Sequence, residues 1–319
     1  MVTGATGWFG VWLLDVLCMA DDTLRLGIRI TAVSRDPAGF AARFPDFARD
    51  PRIRWIKADV RKLGLDRGGF SHVIHAAADT QVNHDEHAQS QLFETIVDGT
   101  RRAIDAAGVD CKSFLFLSSG AVYGAAKPNC ERFLEAGFGE PAPSSIGNAY
   151  AEGKRFAERI CSIAASAGLP VRIARCFAFV GPHMPFNRHF AIGNFIADAV
   201  GGRPIRVKSD GRPLRSYLYM TDLIRALIAI LLDGGIDRPY NVGSDISVTI
   251  EELAHCVDRV VGGCGVLVEG AASDPSDRYV PDTTRLRTEL DFTQEVALDA
   301  AVARTATWHR ACINGSMPI

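Results

Sequence analysis

Val2–Trp12 reads VTGATGWFGVW, with glycines at positions 4, 7 and 10 between a short apolar run and a longer amphipathic one. Glycines at that interval suit a chain that turns sharply at the end of a strand. They let its backbone approach a pyrophosphate and pack the next helix close against the strand. The phosphates would meet free N–H groups at the positive end of that helix. Alone, the pattern also fits a plain glycine turn. Its setting at the first strand–helix junction of an alternating chain favours the phosphate reading.

The alternation is clear through the first half. Ile28–Ser34, Ile53–Lys57, His72–Ala77, Phe114–Ser118 and Val171–Phe177 are short and apolar, as buried parallel strands should be. Between them, Val11–Met19, Gln91–Ala107 and Tyr150–Ala167 read as helices. This order predicts an α/β fold, a Rossmann-type doubly wound parallel sheet. Met1–Thr3 leaves only three residues for the first strand, so either that strand is unusually short or the chain begins upstream. Beyond about residue 180, glycines and prolines break the chain into shorter pieces, with helices expected at Ala191–Val200 and Leu223–Leu232. Tyr240–Val242 reads as a strand able to return to the main sheet. For 319 residues two domains are expected. One is a nucleotide-binding domain over 1–180 plus about 217–248. The other is a smaller C-terminal substrate-binding lobe from 181–216 and 249–319.

Composition narrows the classes. Hydrophobic residues at 47% can bury a sizeable core, which disfavours disorder. Lys+Arg 35 against Asp+Glu 37 provides no global basic field, so neither nucleic acid nor a membrane surface is an expected partner. An anionic ligand must be held by local arginines and backbone amides. The eight cysteines form no C-x-x-C, which argues against a zinc ribbon or redox dithiol and fits a reducing cytoplasm; no metal is expected. The apolar N-terminus lacks a basic start, carries Asp15 and holds three glycines, unlike a signal peptide. The apolar run Leu223–Leu232 is too short to span a bilayer.

Two further clusters carry chemistry. The second strand ends in Ser34-Arg35-Asp36. An acidic side chain there would accept the ribose hydroxyls of NAD, whereas an arginine meets the 2′-phosphate of NADP. Arg35, with Ser34, points to NADP; Asp36 keeps NAD open, and a solvated surface arginine is the bland alternative. Asp59-Val60 follows the third strand and is expected near the adenine, and Ala76-Ala77-Ala78 follows the fourth, passing under the cofactor. Tyr150 and Lys154 lie one helical turn apart, and Ser119 follows a strand that could bring its hydroxyl to the same point. Together they describe a proton-transfer site in which the lysine ammonium and the cofactor's positive ring lower the tyrosine pKa and Ser119 holds a carbonyl or alkoxide oxygen.

With the glycine pattern, HAAA (His75–Ala78), SSGAVYG (Ser118–Gly124), YAEGK, RCFAFVGP (Arg175–Pro182), RSYLYMTDL (Arg215–Leu223) and YNVGSD (Tyr240–Asp245), almost the whole chain resembles an extended short-chain dehydrogenase/reductase of the nucleotide-sugar epimerase/dehydratase branch. That resemblance implies a catalytic Ser119, Tyr150 and Lys154, with Tyr150 and Lys154 also contacting the cofactor. It implies cofactor contacts from Gly4, Thr6, Gly7, Trp8, Phe9, Ser34, Arg35, Asp59, Val60, Ala76, Ala77, Ala78, Phe177 and Val180. A nucleotide-diphosphate sugar would be held by Thr80, Ser119, Asn187, His189 and Arg215, a structural salt bridge being the alternative role for Arg215. A homodimer is also implied.

Departures from the family pattern narrow the reaction. The 4,6-dehydratases carry Asp-Glu right after the catalytic hydroxyl, where this chain has Gly120 and Ala121. Epimerase/reductases of the family use a cysteine and a histidine; the cysteine's place is Ala121, while His189 reads either as the histidine's counterpart in contact with substrate or as a plain loop residue. Ala178 and Val180 replace the usual Asn and Tyr of the family's Phe-Asn-x-Tyr-Gly-Pro pattern. Cys176 reads as buried filling. The expected reaction is NADPH-dependent reduction of a 4-keto nucleotide sugar by hydride transfer at C4. The alternative is NAD-dependent 4-epimerisation. An inactive NADP-binding regulator would be expected to lose Tyr150 or Lys154, and both are present.

Overall fold

The computed structural model describes residues 1–64, 69–78, 85–126, 130–136, 148–186, 190–263, 265–271 and 277–315. The elements run β1 (Val2–Thr3), α1 (Trp8–Leu24), β2 (Ile30–Ser34), α2 (Pro37–Arg43), α3 (Pro45–Arg49), β3 (Ile53–Lys57), β4 (His72–His75), α4 (Glu86–Ala107), β5 (Ser113–Ser119), α5 (Ala149–Ser166) and β6 (Val171–Cys176). They continue through β7 (Phe179–Val180), α6 (Ala191–Val200), β8 (Ile205–Ser209), β9 (Leu214–Ser216), β10 (Leu218–Tyr219), α7 (Met220–Asp233) and β11 (Pro239–Val242). Last come β12 (Ser247–Thr249), α8 (Ile250–Val261), β13 (Val266–Ala271), β14 (Arg278–Tyr279), α9 (Thr284–Leu290) and α10 (Leu298–Ile313).

A seven-stranded sheet has the order β11-β6-β5-β4-β1-β2-β3. The ladders from β3 through to β6 are all parallel. This is the doubly wound Rossmann-type sheet, and the strand order reverses between β1 and β4. A crevice at that switch point, outside the strands' carboxyl ends, is where such folds take ligands. β1 is as short as the sequence suggests. Met1 extends its ladder, its carbonyl accepting from Ile74 N at 2.9 Å. α1 is longer than expected, starting at Trp8, because Gly10 sits inside the helix as a packing contact rather than before it.

Two compact units are present. The first comprises Met1–Gly124, Phe138–Cys176 and Ala226–Tyr240. Its core sets Val73, Phe114, Phe116 and Ile173 of the strands against Leu92, Ile96 and Ala103 of α4 and Ala157 and Cys161 of α5. Gly153, between Tyr150 and Lys154, lets α5 approach α4: a Cβ there would stand 3.3 Å from Ile96. The second unit comprises Ala125–Gly137, Phe177–Arg225 and Asn241–Ile319. It holds a small sheet of order β12-β9-β14 and the paired strands β8 and β13. A buried Asn241 fastens this unit, its Nδ2 donating to the carbonyls of Phe133 at 2.7 Å and Asp282 at 3.0 Å, while Glu135 accepts from its N–H. Among the described residues, no helix is long and apolar enough to cross a membrane, and no cluster of metal-ligating side chains occurs.

Candidate active site

The glycine loop is built as its spacing demands. Gly4 has φ +69°, and a Cβ on it would lie 2.8 Å from the Ala76 carbonyl, so only glycine lets the loops after β1 and β4 touch. Gly10 allows α1 to lie on the strand end, since a Cβ there would come within 2.4 Å of Ala5. Gly7 caps α1 without a side chain, and no acidic residue occupies the first turn. That leaves a helix start suited to phosphate. Thr6, Trp8 and Phe9 are partly buried around it.

The Ala76–Ala78 loop is held from below. Ala76 N donates to the Thr3 carbonyl and Ala77 N to Thr3 Oγ1, both at 3.3 Å. Thr3 Oγ1 in turn meets His75 Nδ1 at 2.7 Å. On the other side of the ring, His75 Nε2 lies 3.2 Å from Thr100 Oγ1, whose proton goes to the Ile96 carbonyl at 2.6 Å. Thr100 must therefore accept from Nε2–H, which makes Nδ1 the acceptor from Thr3. Burial, with Lys154 nearby, pushes His75 down to about 3, so it is a neutral strut.

At the other end of the cradle, buried Ser34 shares a hydrogen bond with Thr6 Oγ1 at 2.8 Å. Arg35 and Asp36 are exposed. The Asp36 carboxylate caps α2, accepting from Gly39 N at 3.0 Å, and Asp36 N donates to Ser34 Oγ at 3.2 Å. Asp59 accepts from Arg61 through both carboxylate oxygens, which holds its pKa below the ordinary range, with Arg35 a weaker contributor. Sequence reasoning did not single out Arg61. Val60 points into the core, against Gly99 of α4.

Ser119, Tyr150 and Lys154 come together in the first unit. Ser119 ends β5, its Oγ accepting from Ala121 N at 3.1 Å. Its hydroxyl is hydrogen-bonded to Tyr150, an interaction that lowers the phenol's pKa, but burial outweighs it and the phenol stands at about 12. Lys154 is buried; its Nζ donates to the Leu117 carbonyl at 2.6 Å and lies 4.9 Å from the Phe116 ring centre and 5.8 Å from that of Tyr150. Burial pushes Lys154 down to about 8. The expectation that its ammonium lowers Tyr150 is therefore not met by the protein's own groups, because desolvation dominates at both residues. Cys176 is buried nearby as a neutral thiol at about 12. These residues are brought together as a proton-transfer centre would require, and the helix start and the Gly4–Ala76 contact fit a dinucleotide.

In the second unit, Phe177 and Val180 are buried, and Phe177 packs against Tyr279 with ring centres 4.7 Å apart and planes tilted by 38°. Arg215 on β9 pairs with Asp277 at 2.9 Å. Beside it in the same sheet, Arg278 on β14 has a buried Nε with no hydrogen-bond partner among the described residues. Arg278 escaped the sequence reading; the signal was a basic residue in the same short sheet as Arg215, which only the pairing reveals. Thr80, Asn187 and His189 lie outside the described residues.

A doubly wound sheet, a glycine cradle and a Ser–Tyr–Lys centre define a short-chain dehydrogenase/reductase of the extended kind. The chain belongs to the NAD dependent epimerase/dehydratase family, whose model matches residues 1–243, and it is an enzyme of that family. It is 29% identical over 325 residues to the UDP-N-acetyl-alpha-D-glucosaminuronate decarboxylase of Bacillus cytotoxicus, covering 98% of each chain. It is 27% identical over 310 residues to UDP-glucuronic acid decarboxylase 1 of Arabidopsis thaliana, covering 95% of this chain and 68% of that one. Two solved structures share its fold. The dTDP-glucose 4,6-dehydratase of Streptomyces venezuelae with NAD bound has a TM-score of 0.79 at 24% identity, covering 98% and 97% of the two chains. The UDP-glucose 4-epimerase of Thermotoga maritima with UDP-glucose has a TM-score of 0.80 at 18% identity, covering 98% of both.

Proposed function

We propose that this enzyme reduces the C4 carbonyl of a 4-keto nucleotide sugar, using NADPH. The observation that carries the reading is the convergence of Ser119, Tyr150 and Lys154, with Lys154 one turn along the same helix face and its Nζ 5.8 Å from the Tyr150 ring centre. The nicotinamide, when bound, supplies the hydride. Tyr150 donates its phenolic proton to the C4 oxygen, and its raised pKa keeps that proton in place at neutral pH. The Ser119 hydroxyl donates to the same oxygen and stabilises the charge that develops there. Lys154 holds the nicotinamide ribose. Arg215 is the group for the sugar's diphosphate, its guanidinium fork matching phosphate oxygens.

The preference for NADPH rests on the tip of β2. Asp36, the acidic group that would take an NAD ribose, already holds the start of α2, while Arg35 beside it is exposed. Elimination of water is not proposed, since Gly120 and Ala121 offer neither acid nor base.

The decarboxylase relatives support a second reading, which sequence reasoning did not consider. The same centre can run in reverse first: C4 would give its hydride to an oxidised nicotinamide, while the C4 hydroxyl gives its proton to the Tyr150 oxygen, which must be a phenolate for this direction. A C6 carboxylate is then β to a ketone and leaves as carbon dioxide, the electrons of the C5–C6 bond passing into a C4–C5 enolate. The enolate takes a proton from water at C5, and the hydride then returns to C4 with no net use of cofactor. Epimerisation at C4 would share that redox-neutral course.

The test mixes purified protein with NADPH and dTDP-4-keto-6-deoxyglucose. One NADPH should be consumed per sugar reduced. Carbon dioxide release from UDP-glucuronic acid, or interconversion of UDP-glucose and UDP-galactose, without NADPH consumption would replace the proposal with the redox-neutral reading.

A further inference from the structure

On α5, Tyr150, Lys154 and Glu158 stand at four-residue intervals and so share one helix face. The first two belong to the reaction. Glu158 is buried behind them, its side chain 4% exposed, and Arg175 opposite is 2% exposed. The guanidinium grips the carboxylate with two prongs, Nε to Oε1 at 3.0 Å and Nη2 to Oε2 at 2.7 Å. Ser118 Oγ donates to the same Oε1 at 2.5 Å. The third prong, Arg175 Nη1, donates to Tyr123 Oη at 2.8 Å, and the guanidinium carbon lies 5.0 Å from the Tyr123 ring centre.

Each member of this network neighbours part of the reaction centre. Ser118 precedes Ser119 on β5, and Tyr123 ends the 3₁₀ turn that begins right after Ser119. Glu158 lies one turn beyond Lys154. Arg175 precedes Cys176, the buried thiol near both Tyr150 and Lys154. One carboxylate thus ties α5 to both strands beside it.

A buried ion pair is a poor way to gain stability, because apolar side chains of similar volume often do as well or better. What it adds here is direction. Two parallel N–H···O bonds in one plane fix rotation and register where an apolar contact would allow α5 to slide. A slide of α5 against β5 would carry the Tyr150 hydroxyl away from Ser119, and displacements of about 1 Å cost catalysis about 10²-fold. We infer that Glu158 and Arg175, with Ser118 and Tyr123, are positioning residues that hold α5 in the register at which Tyr150 meets Ser119. The inference rests on the proposed role of Ser119, Tyr150 and Lys154.

The deciding variant is the double replacement Glu158→Met/Arg175→Met, which leaves no unpaired buried charge. The expected result is a folded protein that binds NADPH as before. Its kcat on dTDP-4-keto-6-deoxyglucose, or on whichever redox-neutral probe above is turned over, should fall about 10²-fold with KM unchanged. Its crystal structure should show the Ser119–Tyr150 hydrogen bond broken. Arg175→Lys, which keeps the charge and loses the fork, should lose kcat as well. If the double variant does not fold, Ser118→Ala serves in its place, with a smaller fall of the same kind expected. A wild-type kcat together with an intact Ser119–Tyr150 bond overturns the inference. Tyr150→Phe, run alongside, separates the two ideas. If it keeps full activity, the reading of the centre fails, and the crystal structure alone still decides whether Glu158 and Arg175 set the register.

Discussion

Replacing Lys154 by methionine should make the protein more stable and nearly inactive. Lys154 is buried, and its folded-state pKa is pushed from the ordinary 10.5 to about 8. At 1.36 kcal/mol per unit, keeping the ammonium charged inside the fold costs about 3 kcal/mol at neutral pH. The Leu117 carbonyl and the Phe116 ring return part of that through contacts a methionine cannot make. The expected net gain is roughly 1–2 kcal/mol at pH 7, or several degrees of melting temperature. The pH dependence identifies the cause. Below pH 8 the lysine is protonated in both states, and wild type carries the full cost. Between pH 8 and 10.5 the folded lysine releases its proton while the unfolded one keeps it. The unfolded state then binds more protons, and wild-type stability rises with pH. Above 10.5 the cost is gone. Thermal melts of both proteins from pH 7 to 11 should show the variant's advantage shrinking through that window. A variant that melts below wild type at pH 7, by a margin that does not change with pH, would refute the reasoning.

Four other substitutions probe the site. Tyr150→Phe should fold and bind cofactor normally while turnover falls by about 10²–10⁴-fold; a folded variant with wild-type rate removes the phenol from the reaction. Arg35→Ala should cut the preference for NADPH over NADH at least tenfold, a charge-assisted phosphate contact being worth roughly 1.5–3 kcal/mol. Asp36→Ala should instead cost about 1 kcal/mol of stability as a lost helix cap and leave that preference in place. Fluorescence titration of both cofactors, with a melt of each variant, checks the pair; a swing toward NADPH in Asp36→Ala would show that the carboxylate serves a ribose after all. Gly10→Ala puts a methyl 2.4 Å from the Ala5 backbone, so α1 must move off the strand end. Both melting temperature and cofactor affinity should drop, and an unchanged cofactor affinity would detach the third glycine from the cradle.

Local pattern determined a good deal by itself. The parallel strands were recoverable because buried strands are short apolar runs bounded by polar or turn residues, a signal that depends on neighbours in sequence alone. The glycine loop and the Tyr150/Lys154 pair likewise follow from spacing, because turn geometry and helical period are local. Some local signals went unused. Pro37 and Pro45 open α2 and α3, and the Thr249–Glu252 capping box opens α8. The tertiary structure decided the rest, because it set burial and brought distant residues together. Whether Asp36 faces a ribose or caps a helix depends on the path the chain takes after β2. How strongly the protein's own groups shift Tyr150 depends on how deeply its hydroxyl is buried, and burial raises it. The strand that carries Arg278 lies beside the one that carries Arg215, and Glu158 meets Arg175, only because strands and helices far apart in sequence pack together. Spacing can place two groups on one face of one helix; what lies opposite that face, and how dry it is, belongs to the fold.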